Sequence, residues 1–355
     1  MNTKYKTAIG FGLAHGFNDF IAGYLLAYLS IHSTNLQVVT LAFLGYSIIA
    51  FGGQLPAGVL LDKTKHLKTF SIIAIAGLLL AVGASYFNIL VAIFFSSIAS
   101  TFIHVCGGAA CYLSDKNNAA LSGIFTSPGV FGVISGGVLG AMSYPIFYFY
   151  FLLIPLCILI IWIVQMKIPH YKTLDTTTDS TSSATIDVHD FFMLTLLAAI
   201  AFRSLLWNLL HIMCFNDKKW LLGLGISAAL GKLLGGYITY KIPWKKYVFF
   251  SMIGTVLLLN INIKNLWLFC IAVALLQSAV PITLLLMQNY LKNQPATATG
   301  LSLGIAIVLA GIPTYIESFR QIQHNKFLFI LICILFLLPN WWMVKKSKWN
   351  QADKY

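Results

Sequence analysis

His15, Asn18 and Asp19 lie within a segment that is otherwise apolar from Ile9 to Leu29. His15 and Asp19 are four residues apart, so on a helix they share one face with Asn18 beside them. An ionisable residue near the centre of a bilayer costs roughly 2.5–3.5 kcal/mol on insertion scales, so such a group needs a partner or a use. A carboxyl one turn from an imidazole can hold and pass a proton. Asp19 and His15 are therefore the candidate proton-coupling pair.

Further polar groups interrupt other apolar runs: His104, Arg203 with Trp207, Lys232 and Gln277. Counting from Asp190, Arg203 lies about 20 Å along its helix, too deep to snorkel to the surface. A guanidinium there suits a carboxylate or phosphate, with Trp207 as a flat neighbour; the alternative is an internal pair with Asp19. Lys232 fits structural pairing as well as solute contact. Gly107 and Gly108 follow His104 and let a ligand or helix approach the backbone. Asn18, His104, Arg203, Trp207, Lys232 and Gln277 are thus the candidate solute-binding residues. His15, Asp19 and His104 together also make a three-ligand metal set. That reading ranks behind proton chemistry, because no outer carboxylate is evident to orient the histidines, and no metal is expected.

The elements that carry these residues must cross a membrane. The chain of 355 residues is 59% hydrophobic and 9% charged, with a mean hydropathy of +0.83, more apolar surface than a soluble core could bury. At about 20 residues per span, the breaks in hydropathy divide it into twelve helices. The first resembles a signal peptide only in following Lys4 and Lys6; it is too long and too polar at its centre, and is read as retained. The six cysteines show no CxxC and read as small packing residues. A Ser/Thr/Asp-rich stretch over 167–189 reads as a linker between a six-helix bundle over 1–166 and another over 190–355.

The halves repeat. A shift of 178 residues places Gly58 on Gly236, and a shift of 177 places "AALSGIF" from Ala119 on "ATATGLS" from Ala296. Parallel six-helix repeats belong to transporters that rock around a midplane site. With the N-terminus inside, sixteen Lys or Arg fall on cytoplasmic loops and five outside, Arg203 and Lys232 being intramembrane. This places both termini in the cytoplasm and the chain in the cytoplasmic (inner or plasma) membrane. The net charge of +13 follows from that orientation, so no nucleic-acid partner is implied.

Three motifs carry a family resemblance. "PAGVLLDKTKHLK" resembles the loop between helices two and three of the major facilitator superfamily, G-x-x-x-D-[RK]-x-G-[RK]-[RK], with Gly58, Asp62 and Lys63 in register and Lys65 in place of its second glycine. "HGFNDF" and "STFIHVCGGA" resemble the first- and fourth-helix motifs of its fosmidomycin-resistance subgroup, and "GIFTSPGVFGVISGGVLG" its Gly-rich fifth helix. Cys106 stands where the subgroup has Glu, and Ala109 at an Arg position. The resemblance implies an all-α fold of two pseudo-symmetric six-helix bundles, a monomer, and helices 1, 4, 7 and 10 around a central cavity. It also implies a cytoplasmic gate at Asp62 and Lys63.

These readings converge on a secondary active transporter that moves a small organic solute, anionic or zwitterionic, by alternating access, with proton-coupled efflux as the leading mode. A uniporter, an anion symporter and a non-transporting sensor are the alternatives. No nucleophile–base set or HExxH motif is present, so no enzyme and no cofactor is expected.

Overall fold

The computed structural model describes residues 2–168, 188–214, 217–316 and 325–347. The linker expected over 167–189 lies outside these residues except at its edges. Twelve helices of membrane length appear in chain order, with no strand among the described residues: α1 Thr3–His32, α2 Leu36–Thr64, α3 Leu67–Ala84, α4 Ile89–Ser114, α5 Ala119–Ala141, α6 Ile146–Gln165, α7 Val188–Cys214, α8 Lys218–Lys241, α9 Trp244–Asn262, α10 Leu266–Tyr290, α11 Pro295–Thr314 and α12 Lys326–Lys346. Ten are apolar enough to cross a bilayer by hydropathy. Of the other two, α1 carries the His15–Asp19 polar cluster, and α9 opens on two lysines and closes on Asn260 and Asn262.

Polar residues between the apolar runs start the helices. Asn2, Asn35, Asn88, Asn118, Asp217, Asn265 and Asn325 each accept backbone N–H bonds as N-caps, of α1, α2, α4, α5, α8, α10 and α12. α11 has no such cap of its own: it opens on Pro295 after Gln294, whose side chain makes no capping bond. Its free N–H groups are met from across the molecule. Asp62, at the end of α2, accepts from the N–H of Ala296 at 3.1 Å and of Thr297 at 2.7 Å, and from the Thr297 hydroxyl at 2.7 Å. A carboxylate at a helix N-terminus is doubly favoured, by hydrogen bonding and by the helix dipole.

Glycines set the spacing. On α5, a Cβ on Gly132, Gly136 or Gly140 would lie 2.1–2.4 Å from a backbone oxygen of α1, so the Gly-x-x-x-Gly face packs α1 and α5 backbone to backbone. Gly231 and Gly235 of α8 press in the same way on the Ala274 and Ser278 carbonyls of α10. Buried side chains fall into two clusters, one mainly from α1–α6 and one mainly from α7–α12.

The two groups of helices meet most tightly at the end rich in lysine. There Gly58 abuts the Ala296 carbonyl, Gly300 the backbone of Gln54 and Gly304 the Phe51 carbonyl, joining α2 to α11. α4 and the loop after it join α10 and α11 through Gln288, which donates to the Gly108 carbonyl at 3.0 Å, Asn289, which donates to the Lys116 carbonyl at 3.1 Å, and Thr299 against Gly108. α5 and α8 touch at Gly123 and Gly236, and Ser127 donates to the Ala229 carbonyl at 2.8 Å. At the same end Lys4 bonds Asp115 at 2.8 Å. Burial works to raise the Asp115 carboxyl, but Lys4 and the Asn117 N–H hold it below the usual carboxylate range.

Bends fall where backbone bonding is broken. π-helical turns interrupt α2 over Ile48–Gly52 and α11 over Leu301–Ile305, on helices that pack together. Pro56 follows the first of these within one turn, where its missing N–H costs least. α10 breaks at Ala279, ahead of Pro281.

The Asp62 cap is the polar clasp of the α2–α11 seam, and losing an N-cap costs about 1 kcal/mol, roughly fivefold in an equilibrium. Asp62→Ala is therefore expected to raise severalfold the labelling rate of a cysteine introduced at buried Thr299 in a chain with its six native cysteines replaced. An unchanged rate would show that the seam does not depend on this clasp.

Candidate functional site

Asp19 sits on α1 between two imidazoles. His15 places Nε2 3.1 Å from Asp19 Oδ2, the i,i+4 contact expected from the spacing. His104 on α4 places Nε2 3.9 Å from Asp19 Oδ1. Asn18 donates from Nδ2 to Asp19 Oδ1 at 2.8 Å and to Ser100 Oγ at 3.0 Å, and Tyr46 of α2 donates to that same hydroxyl at 3.4 Å. Both histidines are 4% exposed, and their rings meet edge to face with centroids 4.3 Å apart.

The far side of each ring decides the chemistry of the near side. His15 Nδ1 lies 3.0 Å from the Phe125 carbonyl, and His104 Nδ1 lies 2.7 Å from the Ser100 carbonyl. A carbonyl oxygen only accepts, so both Nδ1 atoms carry the hydrogen. In the neutral rings both Nε2 atoms are then lone pairs, and both are turned on a carboxylate that also carries lone pairs. At 3.1 Å the His15–Asp19 contact is a hydrogen bond only when a proton sits between the two atoms. A single proton can therefore be held between Asp19 and His15, whereas the His104 contact at 3.9 Å is longer than a hydrogen bond.

Local sequence explains why the rings fit. A Cβ on Gly129 would lie 2.2 Å from His15 Nε2, and one on Gly107 would lie 2.2 Å from the Phe125 ring. That ring packs on His15 with centroids 4.9 Å apart. Gly12 and Gly16 give α1 the room to lie on Ile124 and Pro128 of α5. Small residues on α4 and α5 therefore form the socket that α1 fills.

The cationic residues occupy the other group of helices. Arg203 on α7 is 2% exposed; its Nη2 donates to Thr283 Oγ1 of α10 at 3.0 Å, and its Nη1 has no partner among the described residues. It does not pair with Asp19, whose ion contacts are both histidines. Lys232 on α8 is partly buried, makes no ion pair within 4 Å among the described residues, and lies within electrostatic reach of both Asp19 and Arg203. Trp207 lies one turn beyond Arg203 and parallel to His211, with ring centroids 6.4 Å apart. Gln277 of α10 is buried just ahead of the break at Ala279. Lys63 is exposed at the end of α2, so of the two expected gate residues Asp62 alone enters the seam through a hydrogen bond.

Several participants carry no signal of their own in the sequence. Ser100 is one serine among many, although its place one turn before His104 could have flagged it. The Phe125 and Ser100 carbonyls are invisible to any reading by residue type. Thr283, which holds Arg203, and Gln288 and Asn289 at the seam sit in a helix already marked by Gln277.

No protein-family profile and no curated protein sequence matches the chain. Solved structures do match by shape. The E. coli fucose:proton symporter FucP superposes with a TM-score of 0.73 at 12% identity, covering 98% of both chains. FucP in its outward conformation gives 0.71 at 14% identity, over 97% of this chain and 99% of that one. The human organic anion transporter MFSD10 gives 0.61 at 14% identity, over 96% and 99%. The chain therefore has the all-helical fold of major facilitator superfamily transporters.

Adding a methyl group at Gly129 must displace the His15 ring. Gly129→Ala is expected to lower thermal stability in detergent by an amount typical of overpacking, about 1–3 kcal/mol. Combined with His15→Ala, it should cost almost nothing more than His15→Ala alone. Additive losses in this double-mutant cycle, read by tryptophan fluorescence melts, would show that the glycine does not make the imidazole's socket.

Proposed function

We propose that this chain is a proton-coupled secondary transporter of a small organic anion or zwitterion, working by alternating access across the cytoplasmic membrane with both termini inside. The observation that carries the reading is the pair of imidazoles locked through Nδ1 onto carbonyls, with Nε2 turned on the half-buried carboxylate of Asp19. Asp19 and His15 carry the coupling proton. Arg203, whose Nη1 has no partner among the described residues, and Lys232 recognise the anionic group, while Asn18, His104, Trp207 and Gln277 line the solute's path.

Coupling follows from charge. With its proton the Asp19 cluster is neutral, and the nearby cations draw an anionic solute. Without it, Asp19 becomes the counter-ion that Lys232 can face, and the solute is less favoured. Movement between states then requires the α2–α11, α4–α10 and α5–α8 seams to part at the lysine-rich end while the opposite end closes. Seams of glycine and a few polar clasps suit such motion, since small residues slide with little repacking.

The sequence reading favours proton antiport and efflux, like the subgroup that "HGFNDF" resembles. Symport is the second reading. It is favoured by the charge argument, in which proton and anion stabilise each other's presence, and the fucose:proton symporter shares the fold. The half-boundaries at 166 and 190 and a monomeric state belong to the same proposal. Nothing in it requires an enzyme or a cofactor.

The test is flux in proteoliposomes holding a pH gradient, with a chelator present, as organic anions, zwitterions and lipophilic drugs are added in turn. Wild-type protein is expected to move protons when its solute is added. Asp19→Asn is expected to lose proton movement about a hundredfold or more while remaining folded, and Arg203→Gln to weaken solute affinity by roughly tenfold or more. Unchanged proton movement in Asp19→Asn would overturn the coupling assignment.

A further inference from the structure

We propose that His15, Asp19 and His104 form a binding site for one divalent first-row transition-metal ion of the zinc class. The three residues each offer one ligand atom, and these atoms lie within 4.8 Å of one another. Two ligands of a tetrahedral ion at bond lengths of 2.0–2.1 Å are about 3.4 Å apart. The Asp19 oxygens lie 3.1 Å from His15 Nε2 and 3.9 Å from His104 Nε2, on either side of that value. One ion is held by all three once the longest of these separations, at most 4.8 Å, closes toward that value by rotation of the side chains.

The stronger argument is the outer shell. Ligating histidines nearly always donate their second ring N–H to a carboxylate, a backbone carbonyl or water, which fixes the tautomer and aims the other nitrogen at the metal. Here the outer partners are the Phe125 carbonyl for His15 and the Ser100 carbonyl for His104. The sequence places no outer carboxylate near these histidines, and none is needed. Asn18 Nδ2, shared between Asp19 Oδ1 and Ser100 Oγ, orients the third ligand as well. Two imidazoles and one carboxylate suit Zn²⁺, Co²⁺ or Ni²⁺ rather than Mg²⁺ or Ca²⁺, which prefer all-oxygen shells. Three protein ligands leave a coordination position for water or an outside donor atom.

Lys232 opposes the ion. It carries positive charge within electrostatic reach of Asp19. Removing that charge should therefore strengthen binding, which a nonspecific surface site would not show.

The inference does not rest on the transport reading, because occupancy is read on the protein at rest. The chain, purified in detergent without a polyhistidine tag, is titrated with CoCl₂ and then ZnCl₂. Expected are the intense visible bands of low-coordinate Co²⁺ saturating at one ion per chain and erased by Zn²⁺. Asp19→Asn and His104→Gln should each weaken binding by roughly tenfold or more, and Lys232→Gln should tighten it severalfold. His211→Gln, on α7, should leave it unchanged. X-ray absorption on the Zn²⁺-loaded wild type needs no variant and should show two imidazoles in a shell of four or five ligands. Absence of saturable Co²⁺ binding in monodisperse wild type, equal binding in the Asp19→Asn/His104→Gln double variant, or an all-oxygen shell of six would each overturn the site. Failure here with solute-driven proton flux intact leaves the transporter reading standing; the reverse result leaves the metal site standing.

Discussion

Asp19 is a carboxyl held inside a membrane helix, and much of the surrounding structure serves to satisfy it. A charge at that depth is costly alone, so it needs donors close enough to act. Asn18 supplies one directly, and the Nε2 atoms of His15 and His104, at 3.1 and 3.9 Å, are placed to do so when a proton is bound. Those side chains must in turn be oriented by carbonyls of α4 and α5, which brings the backbones of three helices close together. Only glycine permits that approach at 107, 129, 132 and 136, where a Cβ would meet a ring or a backbone oxygen at 2.1–2.3 Å. The Gly-rich character of α5 is thus a consequence of a polar cluster one helix away.

The two groups of helices divide the electrostatic work. The first encloses an acid with two imidazoles within 4 Å of it. The second holds Arg203 and Lys232, with no carboxylate of its own helices within ion-pair distance among the described residues. A buried guanidinium whose Nη1 has no partner among the described residues is an incomplete interaction, and such groups occur where a ligand completes them. The lysine-rich end is fastened by contacts that can be remade: a helix cap supplied by Asp62, two amides on carbonyls, and glycines against backbone.

The architecture was largely legible from the sequence because membrane helices announce themselves by length and apolarity, and the Asn and Asp between them are the caps that start them. Twelve spans follow from the breaks in hydropathy, and the shared face of His15 and Asp19 from helical periodicity. His104 joined the site because its motif resembles a known fourth helix, not because of its spacing. What stayed hidden depends on backbone atoms and on contacts between distant segments. The carbonyls that fix both tautomers have no residue-type signature, and the outer shell of His15 and His104 therefore looked absent. Asp62 is visible in the loop motif, but its partner, the uncapped start of α11, lies 234 residues away. The π turns of α2 and α11 leave no clear mark in composition, and the option of an Arg203–Asp19 pair could be settled only in three dimensions.

The measurement that bears most directly on the account is the protonation of the four ring nitrogens of His15 and His104, read by ¹⁵N magnetic resonance on histidine-labelled, metal-free protein. Single His→Gln variants assign the signals. The account predicts a proton on Nδ1 of both rings and, at His15, an Nε2 that shares a proton with Asp19 and loses that signature in Asp19→Asn. A His15 ring bearing its only proton on Nε2, or one indifferent to Asp19→Asn, would contradict it. Asp19 would then be an element of packing rather than the acid on which the site is built.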